Sequence, residues 1–101
     1  MKKTVATFTG GCADGRKAIN LALCVLGRIT TQVPDDADLL LASPYATQSR
    51  EYLIEHQSKV VWIVTQSQWE NRYKWGFLIS DGIFVLVDTS KGAKELRNLC
   101  C

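Results

Sequence analysis

Thr4-Val5-Ala6-Thr7-Phe8-Thr9-Gly10-Gly11, followed after Cys12-Ala13 by Asp14-Gly15-Arg16-Lys17, is the stretch on which the fold turns. A run of β-branched and aromatic residues predicts a buried strand over residues 3–9. Two permissive glycines then let the chain turn, and Asp14 is placed to open a helix that runs to Leu26. A strand delivering a hydroxyl, two glycines and a helix start to one point is a way to build a small anion site. Arg16 and Lys17 add positive charge in that helix's first turn. The same residues also read as a plain tight strand-to-helix turn with solvated cations.

The elements continue in alternation. Gly27 is suited to stop the first helix. Arg28 to Val33 reads as a second strand, broken by Pro34-Asp35-Asp36. Leu39-Leu40-Leu41-Ala42 is short and wholly apolar, as in the centre of a parallel sheet. Ser43-Pro44 marks a turn, and Thr47 to Gln57 reads as a second helix with Tyr52 and Leu53 inward. Lys59 to Val64 is the next apolar strand. Thr65 to Lys74 reads as helical, with Trp69 and Tyr73 four apart on one face. Phe77–Ser80 and Ile83–Val87 flank Asp81-Gly82, a strong two-residue hairpin signal. Ser90 is placed to cap a last short helix through Leu99. The expected fold is therefore α/β, a central, mostly parallel four-stranded sheet flanked by helices, with a C-terminal β-hairpin and short helix. Residues 1–75 are expected to form one domain, with 76–101 a hairpin and tail packed on it.

Composition narrows the function. The 101 residues suit one domain, and 47% hydrophobic content is ordinary for a globular chain. A net charge of +2 is too small for a strong nucleic-acid polyelectrolyte, although it leaves room for a local basic patch. No apolar run is long enough to span a membrane and no signal-peptide pattern opens the chain, so a cytoplasmic protein is expected, nuclear if the source is a eukaryote. Four cysteines and one histidine, without a Cys-x-x-Cys pair, do not assemble into a zinc site. Cys100-Cys101 is similar to the prenylated ending of some small GTPases, but nothing else here is. No cofactor is expected. The glycines lack the Walker A and dinucleotide-binding spacings, which weakens an ATP or NAD site.

Other residues have a bland reading and a functional one. Trp62, Trp69 and Trp75 are expected in packing rather than as base-stacking platforms. His56 reads as a helix-surface or semi-buried residue. Cys12, just before a helix, has a setting that stabilises a thiolate but no base beside it. Asp35, Asp36 and Asp38 read as a solvated turn with weak cation potential. Thr47-Gln48-Ser49-Arg50, opening the second helix, reads either as simple N-capping or as a second anion-binding start.

Taken in order, these motifs resemble a BRCT domain across residues 3–74. Thr9-Gly10 matches the family's Thr/Ser-Gly pair after the first strand. Leu26-Gly27 matches the end of its first helix, and Arg28-Ile29-Thr30 its next strand. Ala37 to Ala42 matches the following strand, and Ser49-Arg50 the Ser-Lys that opens its second helix. Val60 to Val64 and Trp69 match the last strand and the tryptophan helix. The chain departs in Arg50 for lysine, in Ser58 where a glycine usually stands, in Trp69 one residue late, and in everything beyond residue 76.

The resemblance implies a phosphate held by the first loop and the second helix. In bacterial NAD-dependent DNA ligases and clamp-loader large subunits it also involves an arginine of the first helix. Carried onto this chain, the positions are Thr9, Gly10, Arg50 and Arg16, and the neighbouring Gly11 and Ser49 complete the expected phosphate site. The resulting expectation is a non-enzymatic module that recognises a phosphorylated protein or a 5′-phosphorylated DNA end in replication or repair. A small Rossmann-like nucleotide-binding enzyme using the Gly10-Gly11 loop is the first alternative. A phosphate-independent scaffold, homodimeric through the C-terminal hairpin, is the second.

Overall fold

Four short, mostly apolar runs pair side by side, and helices flank them. The computed structural model describes residues 3–10, 13–27, 34–46, 49–75 and 82–100. Strands β1 (Val5–Phe8), β2 (Leu39–Ala42), β3 (Val60–Val64) and β4 (Ile83–Leu86) form one sheet in the order β1-β2-β3-β4. Every pairing is parallel, with Val5 opposite Leu39, Leu40 opposite Val60 and Val61 opposite Ile83. The helices are α1 (Ala13–Leu26), α2 (Arg50–Glu55), α3 (Gln66–Glu70) and α4 (Ser90–Cys100), with 3-10 turns at Pro34–Asp36, Gln57–Lys59 and Arg72–Trp75.

Strand side chains alternate between faces, so the sheet supports two cores. On one face Val5, Leu41, Val61, Ile63 and Val85 meet Ala18, Ile19 and Ala22 of α1 and Leu96 and Cys100 of α4. On the other, Ala6, Leu40, Ala42, Val60 and Trp62 meet Leu53 of α2. All five residues of β3 are buried, because it lies between two strands and under helices on both sides. Each buried Leu, Ile or Val contributes about 1.5–3 kcal/mol by leaving water. Gly27, at φ +69°, donates its amide to the Cys24 carbonyl at 3.1 Å and ends α1 as its sequence predicts.

Three expectations are corrected. Among the described residues no C-terminal hairpin is seen. Ile83–Leu86 instead joins the sheet as β4, parallel to β3, and the chain then ends in a helix. A lone two-stranded hairpin is marginal in water, whereas the edge of β3 offers β4 a full ladder and buries Val85 on one face and Phe84 against Trp62 on the other. The other expected hairpin arm, Phe77–Ser80, and the expected strand at residues 28–33 lie outside the described residues. The third helix stops early: α3 ends at Glu70 and a 3-10 turn follows, so Tyr73 does not share a helical face with Trp69 and is exposed. The cap of α4 is Thr89, not Ser90, since the Thr89 Oγ1 accepts from the Gly92 amide at 3.0 Å and donates to the Leu86 carbonyl at 2.7 Å.

Gly92 lets α4 approach β4, since a Cβ there would overlap the Leu86 carbonyl. At the other end of α4, the Lys3 amide donates to the Cys100 carbonyl at 2.9 Å. No helix among the described residues is long and apolar enough to cross a membrane.

Candidate functional site

In a parallel sheet with helical connections, the carboxyl ends of the strands collect the loops that open the helices. Here these loops are bound to one another. The Ser43 amide, just past β2, donates to the Phe8 carbonyl at the end of β1 (2.9 Å). Ser43 is buried, and its Oγ accepts from the Tyr45 amide at 3.1 Å. The Ala46 amide then donates to the Ser43 carbonyl at 2.9 Å, and the Ser49 amide to the Ala46 carbonyl at 3.2 Å. This turn carries the chain from β2 to the start of α2.

Gly10 presses against that turn. Its φ is +80°, and a Cβ placed on it would overlap the Tyr45 carbonyl and lie 2.8 Å from the Ala46 Cα. Only glycine takes this conformation readily and makes this approach. Gly15, in the first turn of α1, sits as closely on the Thr9 carbonyl, and its Cβ would lie 3.0 Å from the Ser43 Oγ. Thr9 and Gly10 are thus held between the start of α1 and the turn that leads to α2.

The third loop is tied in by Gln68. Thr65 and Gln68 form a capping box at the start of α3: the Thr65 Oγ1 accepts from the Gln68 amide and the Gln68 Oε1 from the Thr65 amide, both at 3.2 Å. The Nε2 of Gln68 donates to the Asp14 carbonyl in α1 at 2.8 Å. Beside it, the Gln66 amide donates to the Asp88 carboxylate at 2.9 Å, which joins the loop after β4. The amino end of α3 is therefore filled by the protein's own side chains.

The expected site residues fall as follows. Thr9 is half-buried and Gly10 exposed, both on the first loop. Ser49 and Arg50 are half-buried at the start of α2, four residues or fewer past the Tyr45–Ala46 contact with Gly10. Ser49 stands at the N-cap position but its side chain makes no capping bond, so the simple N-capping reading fails for it. Arg16 is exposed on α1, next to Gly15. Gly11, Thr47 and Cys12 lie outside the described residues. Ser43, Tyr45 and Gln68 shape this edge and were not among the expected residues. The Thr-x-x-Gln spacing of Thr65 and Gln68 is a sequence signal for the capping box; nothing local marks Ser43 beyond a turn.

Other candidates resolve into packing. Trp62 is buried and stacks with Phe84 (6.3 Å between centroids). Half-buried Trp69 meets Phe84 at 5.0 Å, and the Arg72 guanidinium lies 4.5 Å over its ring. His56 stacks on Tyr52 at 4.1 Å, with its Nδ1 2.8 Å from the Tyr52 carbonyl. The acidic turn is engaged in two places. The Asp38 carboxylate accepts from the Thr4 amide (2.9 Å) and hydroxyl (3.2 Å), which hold it below the usual carboxylate range. The Tyr52 hydroxyl donates to Asp35 at 2.7 Å, and this bond pushes the phenol up to about 12. No group of three metal-ligating side chains is gathered among the described residues.

Comparison with family models, with curated proteins and with solved structures finds no match for this chain.

Proposed function

We propose that the chain is a non-enzymatic, BRCT-like module that holds one phosphate group between the end of β1 and the start of α2. The ligand is a phosphorylated protein or the 5′-phosphorylated end of DNA. The observation that carries this reading is the seating of Gly10 on the Tyr45–Ala46 turn. Two loops far apart in sequence, each with a reason to attract anions, meet through that contact. Thr9 would donate its hydroxyl and Gly10 its amide, with Ser49 and Arg50 supplying the opposite wall and Arg16 a flanking charge.

The topology supports the resemblance too. β1, β2 and β3 step in one direction across the sheet, yet α1 and α2 cover opposite faces. The two helical connections cannot both be simple right-handed crossovers between neighbouring strands. The resemblance implies one more strand before Leu39–Ala42, at residues 28–33, which lie outside the described residues.

The test is calorimetric titration with phosphopeptides and with 5′-phosphorylated duplex, wild type against Arg50→Ala. Losing one charge-assisted hydrogen bond costs about 1.5–3 kcal/mol, or roughly 10- to 150-fold in affinity. Equal affinity in both proteins removes the site assignment.

A further inference from the structure

The small net charge conceals a segregation that only the fold reveals. α1 and α4 pack side by side on one face of the sheet. Their solvent side carries the exposed cations Arg16, Lys17, Lys91, Lys94 and Arg97, against exposed Asp14 and half-buried Glu95. On the opposite face the exposed charges around α2 are all carboxylates: Asp35, Asp36, Glu51 and Glu55. Arg50 and Lys59 there are half-buried, with Lys59 committed to the Ala37 carbonyl at 3.2 Å, and the exposed Arg72 on that face lies over the Trp69 ring.

We propose that the outer surface of α1 and α4 docks the sugar-phosphate backbone of duplex DNA through Lys17, Lys91, Lys94 and Arg97. None of these four residues belongs to the phosphate site described above, and the surface does not depend on that site. Only the choice of DNA over RNA rests on the phosphate-end reading.

Three observations favour this occupant. Lys91, Lys94 and Arg97 recur at every third position of α4, spanning about 9 Å of helix, a row of point charges suited to a phosphate chain. Lys17 and Lys91 gain nothing from their own helices, since both lie in or next to a first turn, where the macrodipole disfavours cations. The exposed residues between the charges are polar or small: Asn20, Cys24, Ser90 and Asn98. The large exposed hydrophobics among the described residues, Ile54, Tyr73 and Ile83, all lie elsewhere. A helix that inserts into a lipid surface needs such apolar side chains; a backbone-phosphate surface does not.

The experiment is fluorescence anisotropy with a 20-base-pair duplex lacking 5′-phosphates, from about 50 to 200 mM salt. It compares wild type with the Lys17→Glu/Lys91→Glu/Lys94→Glu variant. Four phosphate contacts predict a log–log salt slope of about −3 to −4. The variant should lose at least tenfold in affinity at the lowest salt and most of that slope. Its thermal midpoint should not fall, because two of the three reversals place carboxylates near helix amino ends. Absence of duplex binding, equal binding by the variant, preference for an RNA duplex, or binding to anionic vesicles but not to the duplex would each overturn the proposal. So would salt-sensitive self-association in place of duplex binding. A parallel titration with the 5′-phosphorylated duplex separates the two readings: no preference for the phosphorylated end defeats the phosphate site and leaves this surface standing.

Discussion

Replacing Gln68 by methionine should destabilise the protein far more than a single polar residue at a helix start suggests. The side chain is only 7% exposed, and it ties the start of α3 to α1. Its oxygen satisfies the Thr65 amide, and its nitrogen bridges to the Asp14 carbonyl, 54 residues away. Methionine keeps the volume and removes both bonds. A buried amide left without a partner costs about 1–3 kcal/mol, and the lost bond to the partly buried Asp14 carbonyl adds about 0.5–1.5 kcal/mol. The expected total of about 1.5–4.5 kcal/mol corresponds to a fall of roughly 6–20 °C in Tm for a domain of this size. Urea unfolding followed by tryptophan fluorescence measures it, with thermal circular dichroism as a check. Gln68→Glu refines the test. It retains an acceptor for Thr65 but sets a carboxylate oxygen against the Asp14 carbonyl. Its stability should therefore recover as the pH falls far enough to protonate the new carboxyl. A Gln68→Met variant within about 0.5 kcal/mol of wild type, the usual range for an uninvolved surface position, would refute the reasoning.

Gly10→Ala should cost about 2–3 kcal/mol, from a positive φ and a Cβ overlapping the Tyr45 carbonyl, and should abolish phosphate binding; chemical denaturation and titration read the two effects. Leu96→Ala should cost about 2–5 kcal/mol by urea unfolding, because Leu96 is fully buried in the core beneath α1 and α4; a loss below 1 kcal/mol would mean that α4 is an appendage. Alkaline titration at the tyrosinate absorbance should show a step near pH 12 that disappears in Tyr52→Phe. With its folded-state pKa raised above the unfolded value of about 10, Tyr52 contributes stability that is complete below pH 10 and lost as the pH rises through 12.

How much of this was legible in the sequence depends on the range over which each feature is decided. β1, α1, β2 and β3 follow from local pattern, as does the Gly27 stop, because apolar runs and glycines punctuate the chain there. β4 is legible as a strand, but its pairing is not, because Asp81-Gly82 between apolar runs is a strong local hairpin signal. The competing partner, the open edge of β3, is visible only once the sheet exists. α3 was overextended because the Trp69–Tyr73 spacing fits a helix that in fact changes to a 3-10 turn after Glu70. At the candidate site, Thr9 and Gly10 announce themselves by their place after a strand. Ser43 and Tyr45 do not, and Gln68 shows its capping role in the Thr65-x-x-Gln68 spacing but not its bond to Asp14, since contacts between loops exist only once the chain is folded. The basic surface escaped a sequence reading for a similar reason. Lys17 and Lys94 are 77 positions apart, and the acidic α2 face cancels them in the sum.

The most direct test of the central claim is a crystal structure of the protein soaked in phosphate. The account predicts a tetrahedral anion within hydrogen-bonding distance of the Thr9 hydroxyl, the Gly10 amide and the Arg50 guanidinium. Crystals that hold phosphate only elsewhere, with nothing between Thr9 and Arg50, would contradict it.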